Sequence, residues 1–258
     1  MTFAGKTVAI YGAASDVGRA CASTFAQARA HLFLIDENEK ALADIAATCG
    51  GAAVQFARAK LGDWNDAVAS AATFSRHWSE LDVLVTAPMA LEFASIEASD
   101  PAAWQTVLGA DLLGPIYATK AFLPLLKLAS QSSIVHVGSV DGTLGNPTIP
   151  SYSVAKGGIA VFTHISASEF ARFGIRVNCV ARTMSSDMAG IPDHVAQALL
   201  PHTPLGRISK SSELASVVHF LASLAAGYVS GVVIPVDGGR TAITPGTRPE
   251  EQSRFRAE

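Results

Sequence analysis

"TVAIYGAASDVG", residues 7–18, joins a short apolar run to the start of a helical pattern. Thr7–Ile10 reads as a buried strand, and helical spacing runs from about Val17 to Ala28. Between them Gly12 allows a sharp turn at the strand's end, and Gly18 lets the helix pack close to it. The free N–H groups at such a helix start attract anions. A plain helix-entry turn would also use glycines at this spacing. Asp16 makes the stretch unusual, because an acidic side chain stands where a phosphate-cradling loop takes glycine.

The same alternation continues outward. Strands are expected at His31–Ile35, Ala53–Ala57, Leu81–Val85, Ser133–Val137, Arg176–Val180 and Gly231–Val236. Helical patterns lie between them at about Glu39–Cys49, Asn65–Trp78, Ala102–Ala129, Ser151–Arg172 and Ser211–Ala222. The strands are continuously apolar rather than alternating, as in a sheet covered on both faces. Seven β/α repeats predict an α/β fold: a doubly wound, Rossmann-like parallel sheet of about seven strands in a single domain. That domain spans residues 1–241, and the polar, Pro-containing 242–258 reads as a tail that docks on a neighbouring subunit if it is ordered.

Composition excludes several classes of function. Hydrophobic residues make up 49% of the 258 and charged residues 16%, with a net charge of −3, so no basic surface points to nucleic acid. No apolar run approaches the roughly 20 residues needed to cross a bilayer, and the start lacks a signal peptide's basic flank. Cys21, Cys49 and Cys179 are far apart, and no His or Cys spacing suits a metal. The expectation is a soluble, cytoplasmic protein with no metal, membrane or nucleic-acid partner.

In this architecture ligands bind beyond the carboxyl ends of the strands. Asp36 ends the second strand, 18 residues after Gly18, where a carboxylate accepts from an adenosine ribose and repels a 2′-phosphate. That favours NAD over NADP; Asp36 also suits a helix N-cap before "ENEKALADI". Near the start of a later helix, "YSVAK" places Tyr152 and Lys156 on one face at i,i+4. An ammonium near a phenol of pKa about 10 stabilises the phenolate, which makes tyrosine usable as a general acid/base. Ser139 ends a strand 13 residues before Tyr152, positioned to donate to a substrate oxygen. An isolated YxxxK is usually a surface pair; its placement after a strand-end serine is what gives it weight.

These features together resemble the short-chain dehydrogenase/reductase family over essentially the whole chain. The first-turn loop, "LDVLV", Ser139/Tyr152/Lys156, "GIRVNCVA" and "PLGRISKSSELASVVHFLAS…YVSGVVIPVDGG" carry the resemblance. It implies that Tyr152 exchanges a proton with the substrate oxygen, that Ser139 positions that oxygen, and that Lys156 holds the nicotinamide ribose and lowers the tyrosine pKa. It further implies an NAD-dependent alcohol dehydrogenase or ketone reductase that assembles as a homotetramer. Gly12, Ser15, Asp16, Val17, Gly18, Asp36, Lys60, Leu61, Ala87, Tyr152, Lys156 and Ser186 are the implied cofactor contacts.

Departures from the family pattern cluster on the cofactor side. Tyr11 replaces the loop threonine and Asp16 the middle glycine of TGxxxGxG, and Lys60 replaces the acidic residue after the third strand. Thr86-Ala87-Pro88-Met89 stands for NNAG, losing amides that tie strands together. Asp111 takes the place of the catalytic asparagine, where it keeps the family's relay water and stabilises Lys156 as an ammonium. Arg182-Thr183 replaces Pro-Gly, and a one-residue deletion there puts Ser186 at the carboxamide-binding threonine. A carboxylate about 6 Å from the pyrophosphate costs roughly 1–3 kcal/mol, unless Arg19 at i+3 pairs with it. A second reading therefore stays open: a degenerate member with weakened or lost cofactor binding that serves as a ligand-binding or structural partner subunit.

For substrate, the candidate pocket walls are Met89, Leu91, Leu144, Pro147, Met184, Met188 and Ile191, suiting an apolar or cyclic alcohol or ketone. The Gly- and Pro-containing segment Arg182–Arg207 reads as a mobile lid over them.

Overall fold

The computed structural model describes residues 2–50, 53–188 and 198–242. Seven parallel strands form one sheet in the order β3-β2-β1-β4-β5-β6-β7. The strands are β1 (Thr7–Tyr11), β2 (His31–Asp36), β3 (Val54–Arg58), β4 (Val83–Thr86), β5 (Ser133–Ser139), β6 (Arg176–Arg182) and β7 (Val233–Val236). The helices are α1 (Asp16–Gln27), α2 (Glu39–Thr48), α3 (Trp64–Phe74), α4 (Pro101–Leu108), α5 (Gly114–Leu126), α6 (Asp141–Leu144), α7 (Pro150–Phe170) and α8 (Ser211–Ala222).

Successive residues of one strand feed opposite cores. Val8 and Ile10 of β1 pack with α1, α2 and α8, while Ala9 and Tyr11 pack with α3, α5 and α7. The chain steps outward from β1 to β3, then returns to β4 on β1's other side, which opens a crevice at that switch point. Gly12, Asp36, Thr86, Ser139 and Arg182 all stand at or just beyond the carboxyl ends of the strands lining this edge. No helix among the described residues is long and apolar enough to cross a membrane.

Differences from the sequence reading have local causes. The long helix expected at Ala102–Ala129 is divided by a π-turn at Gly109–Leu113, which carries Asp111. The four-residue helix α6 fills the loop after β5 and stops at Gly145, whose φ is +74°. The last strand begins at Val233 because Gly231, at φ +80°, still belongs to the turn before it. Residues 189–197 and 243–258 lie outside the described residues, and with them Ile191, the middle of the expected lid and almost all of the expected tail.

The strand ties expected to be lost at Thr86–Met89 have a substitute. Thr86 Oγ1 and His136 Nδ1 share a 2.8 Å hydrogen bond across β4 and β5, both residues fully enclosed. On the neighbouring strand the Tyr11 hydroxyl accepts from Gly62 N at 3.0 Å, joining β1 to the loop after β3. Burial drives the His136 pKa from 6.5 to about 3, with the Lys156 charge adding to the effect. The unfolded chain therefore takes up this proton first, and stability is lost as pH falls below the unfolded value. Wild type should lose about 2 kcal/mol between pH 7.5 and 5 that His136→Asn retains, measured by urea titration at each pH.

Candidate active site

The first βα turn is fixed by backbone contact. A Cβ on Gly12, whose φ is +81°, would lie 2.4 Å from Pro88 N, and one on Gly18 would lie 2.3 Å from Gly12 O. Ser15 caps α1 by accepting from Gly18 N at 2.9 Å. Asp36 is buried at the turn's flank, where Ala14 N donates to Oδ2 at 2.9 Å and Asn38 N to Oδ1 at 3.1 Å. The N-cap of α2 is Asn38 rather than Asp36, because the Asp36 carboxylate is drawn toward the β1 turn. Each of its oxygens accepts one hydrogen bond and keeps further acceptor capacity.

Asp16 does not pair with Arg19, whose Nε donates instead to Ala14 O at 3.0 Å. Its partner is Arg182 at the end of β6. The guanidinium donates through Nη1 to Oδ1 at 2.7 Å and through Nη2 to Oδ2 at 2.5 Å. Ser211 at the start of α8 donates to the same carboxylate at 2.9 Å, and the Val17 amide also points at it. Both ionic side chains are about 95% buried. Burial alone would raise the Asp16 pKa, but Arg182, Ser211 and Val17 N–H together hold it below the usual carboxylate range. Arg182 Nη2 also donates to the buried Ser185 Oγ at 3.0 Å. Ser186 is exposed, and its backbone N–H bonds to Ser209 O, so Ser185 is the serine that faces this cluster.

On the catalytic side, α7 brings Tyr152 and Lys156 to one face, with Nζ 5.4 Å from the ring centre. Ser139 Oγ accepts from Asp141 N at 3.1 Å and faces the Tyr152 phenol. Lys156 is enclosed: Nζ donates to Pro88 O at 3.0 Å and Val137 O at 3.2 Å, and stands 3.5 Å from Asp111 Oδ2. Ala90 N donates to the other Asp111 oxygen at 3.1 Å. Burial pushes the Asp111 carboxyl up to about 6, against the pull of Lys156. Burial likewise lowers Lys156, with Asp111 opposing the shift. Tyr152 is pushed upward by burial, and the Arg182 charge draws it back while Asp111 adds to the rise.

A cavity of about 190 Å³ opens over Ser139 and Tyr152. Met89, Leu91, Met184 and Met188 line it, joined by Phe93, Ile149 and Leu199. Leu144, 58% exposed, and Pro147 stand outside this lining. Of the remaining expected cofactor contacts, Ala87 is buried, with its N–H on Tyr11 O at 2.7 Å. Lys60 is exposed, and its N–H is taken by Asp66 at 2.7 Å, while Leu61 N donates to Glu37 at 2.8 Å.

The sequence profile described as "Enoyl-(Acyl carrier protein) reductase" matches residues 12–241. The chain belongs to the short-chain dehydrogenase/reductase family. This makes it an oxidoreductase, and the family's dehydrogenases use nicotinamide cofactors. It is 35% identical to cis-4-hydroxycyclohexanecarboxylate dehydrogenase of Sinomonas cyclohexanicum, across 93% of this chain and 98% of that one. Identity to cyclopentanol dehydrogenase of Comamonas testosteroni is 30%, covering 92% and 97%. The solved structure of levodione reductase superposes with a TM-score of 0.89 at 27% identity, covering 94% of this chain and all of that one.

The crevice of this family member fits a dinucleotide. Asp36 keeps lone pairs free beside the β1 turn, and the donors at the α1 N-terminus already hold an anion, the chain's own Asp16 carboxylate. Arg182 stands out in the sequence only as a departure from the family pattern, and no local pattern links it to Asp16, 166 positions away. Ile149, one helical turn before Tyr152, carried a readable signal for the pocket. Arg182→Ala should lower the unfolding free energy by about 1–3 kcal/mol, because it removes the bidentate bonds to Asp16. Denaturant titration checks this, and an unchanged midpoint would show that the Asp16–Arg182 pair adds nothing to stability.

Proposed function

We propose that this protein interconverts a small apolar or cyclic secondary alcohol and its ketone, with NAD as hydride carrier. The observation that carries the reading is the position of Tyr152 and Ser139 together at a cavity of about 190 Å³ whose walls include Met89, Leu91, Phe93 and Ile149, with Arg182 and Asp141 among its polar residues. That volume suits a small ring better than a long acyl chain. Relatives named for cyclopentanol and for cis-4-hydroxycyclohexanecarboxylate support a ring-bearing substrate. The nicotinamide, when bound, supplies or accepts the hydride.

The chain's own residues handle the oxygen. The Ser139 hydroxyl donates to it and orients it. Tyr152 gives that oxygen a proton during ketone reduction and removes one during alcohol oxidation. The Arg182 charge makes the phenolate less costly than burial alone would. Lys156 and Asp111 stand behind the tyrosine as a nearly neutral buried pair, and Lys156 is the residue to hold the nicotinamide ribose. Gly12, Ser15, Val17, Gly18, Asp36, Lys60, Leu61 and Ala87 border the rest of the dinucleotide. Asp36 selects NAD, since its carboxylate repels a 2′-phosphate.

Exposed Val154, Val161 and Ile165 on α7 support assembly with further copies of the chain, as a homotetramer. Three buried free thiols suit a reducing, cytoplasmic setting.

Tyr152→Phe should reduce turnover of a cyclic alcohol by about 10²–10⁴-fold while NADH affinity stays within a factor of two or so. Turnover close to wild type would remove Tyr152 from proton transfer. In fluorescence titrations NADH should bind more tightly than NADPH, and Asp36→Ala should narrow the gap. Equal affinities in the wild type would show that Asp36 does not select the cofactor.

A further inference from the structure

The Asp16 carboxylate occupies an unusual place for an acidic side chain. It sits at the α1 N-terminus, where helix N–H groups and dipole attract a phosphate. It is surrounded there by donors: two from Arg182, one from Ser211 and the Val17 amide. These come from the ends of three elements, β6, α8 and α1, that meet only in the folded chain. Arg182 also lines the cavity with Tyr152 and approaches Met89 Sδ at 3.5 Å. The bridge therefore spans the gap between the α1 N-terminus and the catalytic tyrosine, the path a dinucleotide takes from its pyrophosphate to its nicotinamide ring.

We propose that Arg182 is a pyrophosphate-binding residue of this enzyme and that Asp16 is its intramolecular competitor, holding the phosphate position in the cofactor-free chain. This inference rests on the reading that a nicotinamide dinucleotide binds in this crevice. Binding exchanges one anion for another on the same guanidinium. The Asp16 carboxylate turns out toward solvent, and a phosphate oxygen takes over the bidentate contact. The exchange preserves charge balance around Arg182, which an unaccompanied buried guanidinium would lack. It also accounts for two departures from the family pattern at once. A buried acidic residue in the loop and a buried arginine at the end of β6 are each unfavourable alone, and together they neutralise one another.

The experiment is calorimetric titration of NADH, ADP and adenosine into wild type, Asp16→Asn and the double variant Asp16→Asn/Arg182→Met. The double variant leaves neither charge buried and keeps the apolar contact with Met89, so it should fold. Asp16→Asn should bind NADH and ADP about 5- to 150-fold more tightly than wild type, with adenosine unchanged. The double variant should bind NADH and ADP about tenfold more weakly than Asp16→Asn. Without ligand, Asp16→Asn should melt below wild type.

Equal affinity of wild type and Asp16→Asn for ADP would overturn the competitor role. Tighter binding by the double variant than by Asp16→Asn would make Arg182 an obstacle and not a ligand. Absence of NADH binding by every variant at millimolar concentration would instead bring down the underlying cofactor reading, and this inference with it. Should Asp16→Asn fail to fold, a crystal structure of wild type with ADP-ribose decides. Arg182 on a phosphate oxygen with Asp16 turned away supports the exchange, and an intact Asp16–Arg182 pair beside the bound ligand refutes it.

Discussion

Backbone contact at the β1–β4 crevice is the constraint on which the rest of the site depends. The Gly12 carbonyl lies where a side chain at Gly18 would begin, and Pro88 lies where one at Gly12 would begin. Only with both positions bare can the loop fold down onto the sheet edge and aim the α1 N-terminus into the crevice. That placement sets where Ser15 caps, where Asp36 receives the Ala14 amide, and where Asp16 must find a partner. The Pro88 carbonyl in turn receives Lys156, so the same contact reaches into the catalytic side.

Two buried ion pairs divide the charges of the site. Asp16 with Arg182 is a short, bidentate pair with further donors, and the carboxylate stays ionised. Asp111 with Lys156 is longer, 3.5 Å, with fewer hydrogen bonds, and burial pushes both groups toward their neutral forms. The difference follows from donor count: desolvation of an ion is offset only where its lone pairs are met by good hydrogen bonds. Tyr152 lies between the two pairs and responds to both. Arg182 draws its pKa down while Asp111 pushes it up, so residues from β6 and the π-turn act on the tyrosine's acidity together with its burial.

Much of this was legible along the chain. Continuous apolar runs alternating with helical spacing predicted a two-faced parallel sheet, and the seven strands lie where those runs are. Gly12, Asp36 and Ser139 were readable because strand-end residues face the crevice in any doubly wound sheet. Tyr152 and Lys156 were readable because i,i+4 spacing on a helix is a local property. Other features were not legible. The π-turn at Gly109–Leu113 interrupts a helix whose periodicity is apolar throughout, and Leu144 and Pro147 lie exposed, outside the pocket they were expected to line.

The sequence by itself determined the order of the elements, the two-faced sheet and the residues at strand ends, because these follow from local periodicity and backbone stereochemistry. Tertiary structure alone decided the partner of Asp16. Asp16 had a plausible partner three residues away in Arg19, yet it bonds Arg182 and Ser211, 166 and 195 positions distant. The physical reason is geometric. Arg19 donates back to the loop carbonyl of Ala14, whereas β6 and α8 end at the point toward which the α1 N-terminus is aimed. A carboxylate enclosed there is stable only beside the guanidinium that the sheet delivers to it.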